Sequence, residues 1–108
     1  MDLSISNEID HTRRSVLRLA GALDLASRDL LLAAAAKALV APDATGLVLN
    51  LAGVSFFDSS GIGAVVQIAR NAEDANTPFA LQAPSQRVSQ VLEISGLLDA
   101  WPIEDSSV

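Results

Sequence analysis

Four consecutive residues, Asp58-Ser59-Ser60-Gly61, bring an acid, two hydroxyls and a conformationally permissive glycine together in a chain of 108 residues. Before them runs Leu47-Val48-Leu49-Asn50-Leu51, short and nearly all apolar, as a strand buried on both faces should be. After them Ile62, Val65, Val66 and Ala69 recur at i, i+3, i+4 and i+7, the spacing of one buried helical face. The motif therefore belongs where a strand turns into a helix, at the positive end of the helix dipole. One chemistry for such a group is capping, where an Asp or Ser side chain accepts a helix N–H and contributes about 1 kcal/mol. The other is phosphoryl acceptance. A phosphate at a helix start, roughly −1.5 to −2 in charge, would meet free backbone N–H groups, so the fold would survive modification. A partner surface matched to the neutral hydroxyl would not tolerate it, and each ~1.4 kcal/mol lost is tenfold in affinity.

Other chemistries lack their parts. The chain has no cysteine and one histidine, His11, so thiolate zinc sites, cysteine nucleophiles and a histidine-built metal site are excluded, and no metal or cofactor is expected. A serine nucleophile would need a base beside it, but His11 falls in a turn near the other end of the sequence. Ser60-Gly61-Ile62-Gly63-Ala64 lacks the Gly-Lys-Ser/Thr ending of a phosphate-binding loop. The formal net charge of −6, with no basic cluster, disfavours nucleic acid and anionic membranes.

The elements that must position the motif can be read in order. Leu3 to Glu8 and Val16 to Leu19 give two strands joined as a hairpin through Asp10-His11-Thr12-Arg13-Arg14. Asp24 or Ser27 can cap a helix from about Arg28 to Val40, which Pro42 stops. A strand over Leu47 to Leu51 leads through a loop to a helix from about Ser60 to Ala75. Phe79 to Gln82 is extended again, Ser85 caps a third helix ended by Gly96, and Ala100 to Ile103 add a short last strand. Alternating strands and helices define an α/β domain with a mostly parallel or mixed sheet of four to five strands and three to four helices, spanning residues 1–108. Partners of such sheets meet the loops at the carboxyl ends of the strands, where Asp58 to Gly61 lies. The N-terminal residues show no signal-peptide pattern and the longest apolar run is far too short to span a bilayer, so a cytoplasmic location is expected.

The stretch from Leu47 to Gly61, ending Phe56-Phe57-Asp58-Ser59-Ser60-Gly61, resembles the signature of the STAS domain, specifically that of bacterial anti-sigma factor antagonists. Leu19-Ala20-Gly21-Ala22-Leu23-Asp24 is similar to the family's Gly-Glu-Leu-Asp turn, and Val91 to Leu97 to its closing helix. The resemblance implies a STAS-type fold and a non-enzymatic function. The unphosphorylated domain binds an anti-sigma factor, often a serine kinase of the GHKL type, and frees a sigma factor. Phosphorylation blocks this binding, and a phosphoserine phosphatase restores it. The phosphoacceptor falls on Ser60, with Ser59 as second choice and Asp58 bracing the loop. Ala22 stands where the family often has glutamate, which leaves Asp24 as the main acid on the neighbouring loop.

The expected partner surface comprises Asp24, Phe57, Asp58, Ser59, Ser60, Gly61 and Ile62. Phe56 and Phe57 point to opposite sides of an extended segment, and Phe57 is assigned the outward role. Trp101 reads as structural, Arg13, Arg14 and Arg18 as a solvated hairpin face, Glu104 to Val108 as a loose tail, Ser106 and Ser107 as inert, and the chain as a monomer or weak dimer. A rival reading is an accessory or scaffold STAS subunit docked permanently on a signalling complex or a transporter ATPase. A further rival is a nucleotide-binding protein or enzyme using the same loop.

Overall fold

The computed structural model of the chain describes residues 2–105. In order, the elements are β1 (Leu3–Ile9), β2 (Ser15–Leu23), α1 (Arg28–Leu39), β3 (Leu47–Phe57), α2 (Ser59–Asp74), β4 (Phe79–Gln82), α3 (Gln86–Ile94) and β5 (Ile103–Glu104). The five strands form one sheet in the order β1-β2-β3-β4-β5. The β1–β2 hairpin is antiparallel and the other three pairings are parallel, which is the mixed α/β sheet the sequence leads one to expect.

Strand alternation divides the sheet into two unlike faces. Leu17, Leu19, Leu47, Leu49, Leu51 and Leu81 join a single apolar cluster with Leu31 and Ala35 of α1, Val65 and Ile68 of α2, and Val88 and Leu92 of α3. The alternate residues form a rung that is polar across the whole sheet: Ser6, Arg18, Asn50, Gln82 and Glu104 lie in register. Buried Asn50 donates through Nδ2 to Gln82 Oε1 at 2.7 Å, so neither amide is left unpaired.

β3 is longer than the sequence suggests. It does not end at Leu51 but runs on to Phe57, because the register with β2 shifts between Arg18 and Ala20 and again between Gly21 and Ala22. These irregularities re-aim the second half of the pair. Gly21 is required there: its φ is +106°, and a Cβ would sit 2.0 Å from the Asp2 carbonyl oxygen.

The opposite end of the sheet also departs from expectation. Arg14 is not part of a solvated basic face, and Glu104 is not part of a loose tail. The Arg14 guanidinium grips Glu104 with two bonds (2.6 and 2.9 Å) and donates from Nε to Asp10 Oδ2 at 2.9 Å. Since β2 and β5 are three strand spacings apart, roughly 14 Å, this pair straps the hairpin to the last strand across β3 and β4. That strand spans Ile103–Glu104 only, not Ala100 to Ile103. Trp101 keeps its expected structural role, with its ring edge-on to Phe79 at 6.2 Å between centroids. Ser106 and Ser107, and the rest of the expected tail, lie outside the described residues apart from Glu104 and Asp105.

The carboxyl groups of this brace titrate low. Arg14 bonding holds Glu104 below the usual carboxylate range, against the opposing effect of burial. Burial alone would raise Asp10, but bonds from the Thr12 hydroxyl, the Arg14 N–H, the Arg14 guanidinium and the Thr12 N–H outweigh it and hold it well below its ordinary value. A carboxyl with a depressed folded pKa contributes stability that is complete above its unfolded value, about 4, and is lost as pH falls through the folded value. Asp10→Ala is therefore expected to lower unfolding free energy by about 2 kcal/mol at pH 7. Urea titrations at descending pH should show the gap between variant and parent closing only below about pH 4.

Candidate functional site

β2 and β3 are parallel neighbours whose last paired residues are Leu23 and Phe57. The residues that follow, Asp24 and Asp58, therefore sit side by side at the carboxyl edge of the sheet, and each carboxylate organises the turn after it. Asp58 is extended (φ −129°, ψ −165°) and caps α2: its Oδ1 accepts from the N–H of Ser60 at 2.9 Å and of Gly61 at 3.2 Å. Its carbonyl accepts from the Ile62 N–H at 3.0 Å. Asp24 Oδ1 accepts from the Ser27 N–H at 3.0 Å. The Ser27 hydroxyl does not cap α1. It is buried, donating to the Ala22 carbonyl at 2.8 Å and accepting from the Asp24 N–H at 3.0 Å.

Gly61 locks the two turns together. A Cβ there would lie 2.7 Å from Phe57 Cδ1 and 2.9 Å from the Leu23 carbonyl oxygen, so only glycine lets the start of α2 settle onto the ends of both strands. Phe57 is accordingly 2% exposed and belongs to the core. The assignment of Phe57 as an outward contact is corrected: Phe56, half-buried, is the ring that reaches the surface. The register shifts within β2 and β3 reset the alternation upstream, so the sequence could not say which of two adjacent rings turned inward.

Ser59 is exposed and Ser60 half-buried, and neither hydroxyl takes part in the bonds that hold the turn. One expectation changes here: a phosphate on Ser60 would not find the Ser60 and Gly61 N–H groups free, because Asp58 already holds them. It would stand in solvent beside a carboxylate. Ile62, half-buried on the first turn of α2, packs its inner side on the core and shows the rest. Leu25, next to Asp24, is 74% exposed and was missed by sequence reasoning. Its signal was a large apolar residue in a turn with no periodicity to bury it. Asp24 and Leu25 follow the end of β2 and Ser59, Ser60 and Ile62 the end of β3, so both turns lie at the carboxyl edge of the sheet. None of the described residues form a group of three or more His, Cys, Asp or Glu able to hold a metal. No helix among them is long and apolar enough to cross a membrane.

A five-stranded mixed sheet with three helices, and a capped Asp-Ser-Ser-Gly turn at the head of α2, define a small single-sheet α/β domain. The chain belongs to the STAS domain family, whose model matches residues 4–108. It is 35% identical over 82 residues to the anti-sigma F factor antagonist of Lysinibacillus sphaericus, covering 76% of this chain and 70% of that protein. Its fold is similar to the solved structure of the anti-sigma factor antagonist SpoIIAA in its unphosphorylated form, with a TM-score of 0.77 and 30% identity over 96% of this chain and 89% of the other. The phosphorylated form of the Bacillus cell fate determinant SpoIIAA matches with a TM-score of 0.72 and 29% identity, over 96% and 92% of the two chains.

The two glycines of the motif should respond oppositely to alanine. Gly61→Ala forces overlap with Phe57 and Leu23 and is expected to cost about 1–3 kcal/mol. Gly63, whose Cβ would meet nothing within 4 Å, lies inside α2, and Gly63→Ala should stabilise by about 0.5–1 kcal/mol. Thermal unfolding of the two variants checks both signs.

Proposed function

We propose that this protein is an anti-sigma factor antagonist switched by phosphorylation of Ser60. In this reading the unmodified domain docks on an anti-sigma factor, a serine kinase of the GHKL type, and so frees a sigma factor in the cytoplasm. The kinase then transfers the γ-phosphoryl group of ATP to Ser60 Oγ, with the hydroxyl proton lost and ADP leaving. A phosphoserine phosphatase reverses the step by hydrolysis. The domain itself is the substrate and not an enzyme.

One observation carries the reading: a half-buried hydroxyl outside the capping bonds stands at the head of a helix whose Ser60 and Gly61 N–H groups are already occupied by Asp58. Added charge has no internal ligand to collapse onto among those bonds, so it stays at the carboxyl edge where Asp24, Leu25 and Ile62 lie. A partner seated there would have to bury the phosphate beside Asp58 and Asp24, and like charges brought together in a desolvated interface cost several kcal/mol. The names of the relatives, and the existence of a similar fold in both phosphorylated and unphosphorylated forms, support the same mechanism. Ser60 is preferred to Ser59 because the family motif places the acceptor on the second serine.

Incubation with the cognate kinase and ATP should put one phosphate on Ser60, read by mass spectrometry of the intact chain and its peptides. Phosphate found only elsewhere overturns the assignment. Ser60→Asp should bind the anti-sigma factor at least about tenfold more weakly than Ser60→Ala, a loss of about 1.4 kcal/mol. Equal affinities contradict the electrostatic switch, and a complex indifferent to ATP and phosphatase favours the constitutive scaffold role instead.

A further inference from the structure

The two edges of the sheet are unlike. β5 offers two residues, Ile103–Glu104, whereas β1 offers seven, Leu3–Ile9. The ladder between β1 and β2 is bracketed by two bonds, from the Ala22 N–H to the Asp2 carbonyl and from the Asp10 N–H to the Arg14 carbonyl. Bonded pairs recur at every second residue of an antiparallel ladder, so the even-numbered residues of β1 bond β2. Leu3, Ile5, Asn7 and Ile9 therefore turn their N–H and C=O groups outward, and none of these eight groups has a partner among the described residues. Native edges of this length are ordinarily guarded by proline, lysine or a bulge. Leu3-Ser4-Ile5-Ser6-Asn7-Glu8-Ile9 has no proline, lysine or glycine and pairs with β2 without a shift in register.

The side chains of the same four residues lie on the helix side of the sheet, where cover runs out. Leu3 is buried and Ile5 half-buried against the core, but Ile9 is 59% exposed. A hollow of about 260 Å³ opens beside Leu3 and Leu30 at one end of the edge. Another of about 320 Å³ opens beside Ile9, Ala41 and Pro42 at the other.

We infer that β1 pairs antiparallel with β1 of a second copy of the chain, joining the two sheets into one. The match in length and in register argues for this occupant. With Ser6 opposite Ser6, Leu3 of each copy faces Ile9 of the other and Ile5 faces Asn7, so all eight free groups of each copy are bonded at once. Any other register leaves some of them open. Each Ile9 comes to lie against Leu3 of the other copy, beside the hollow under Leu30. On the opposite face Ser4 meets Glu8, so no two acids are opposed, which a chain of net charge −6 requires of a surface that meets itself. A parallel pairing in register would set Glu8 against Glu8. Because the paired strands run oppositely, the two carboxyl edges with their Ser60 turns point to opposite ends of the joined sheet. The pairing does not rest on the phosphorylation reading, and its test involves neither kinase nor phosphate.

Sedimentation equilibrium of the full chain, from micromolar to near-millimolar concentration, should show a reversible monomer–dimer equilibrium. Asn7→Pro removes only an N–H that points away from β2, a position where an edge strand accepts proline. Circular dichroism should show the parent fold while the dimer dissociation constant rises at least about tenfold. The chain has no cysteine, so an introduced thiol reports alone. Under mild oxidation Ser6→Cys should give a disulfide-linked dimer, the two β carbons standing roughly 4.5–5.5 Å apart. Ser4→Cys, whose two copies stand four residues apart along the seam, roughly 14 Å, should stay reduced. The cysteine pair decides the matter even where Asn7→Pro costs stability. A chain that stays monomeric throughout, a dimer that a folded Asn7→Pro leaves intact, or Ser4→Cys linking as readily as Ser6→Cys overturns the proposal.

Discussion

The turn at the head of α2 depends first on one carboxylate. Asp58 Oδ1 accepts the N–H groups of Ser60 and Gly61 and so supplies from within the chain the anion that the start of a helix attracts. That single act fixes the start of α2 and keeps the serine hydroxyls out of the capping bonds. It also pre-empts the site a phosphate would otherwise occupy. A helix start with its N–H groups open could draw a phosphate inward and reshape the loop. In the proposed reading, with Asp58 in place, a phosphate on Ser60 would add charge to a surface and leave the scaffold alone.

The rest of the fold can be understood as holding that carboxylate still. β2 and β3 end in register at Leu23 and Phe57, which sets Asp24 beside Asp58, and Gly61 lets α2 seat on both strand ends at once. The buried Ser27 hydroxyl ties the neighbouring turn to the Ala22 carbonyl. At the far end the Arg14 brace to Asp10 and Glu104 closes the sheet with charged groups.

The sequence showed the motif and its setting clearly, because an apolar run, an Asp-Ser-Ser-Gly turn and a helical pattern follow one another without a gap, but it aimed the helix slightly wrong: the buried face of α2 is Gly61, Ala64, Val65, Ile68 and Ala72, and of the expected Ile62, Val65, Val66 and Ala69 only Val65 is buried, the others half-buried. The element order and the capping roles of Asp58 and Ser85 belong to the same local chemistry. What it hid was non-local. Ala52 and Gly53 looked like the end of β3, whereas they sit at a shift in register that only the pairing with β2 reveals. The same shift reversed the roles of Phe56 and Phe57. Arg14 read as one of three solvated arginines because its partner, Glu104, lies 90 positions away.

The central claim is that phosphate on Ser60 stays outside a cap that does not yield. Amide chemical-shift mapping of the protein before and after stoichiometric phosphorylation of Ser60 tests it most directly. The account predicts large changes confined to Asp58–Ile62 and the adjacent Asp24–Ser27 turn, with the Ser60 and Gly61 amides still protected from exchange and the sheet amides unmoved. Loss of that protection, or changes spreading through β3 and β4 to Leu49 and Leu81, would mean that the phosphate displaces Asp58 and remodels the domain.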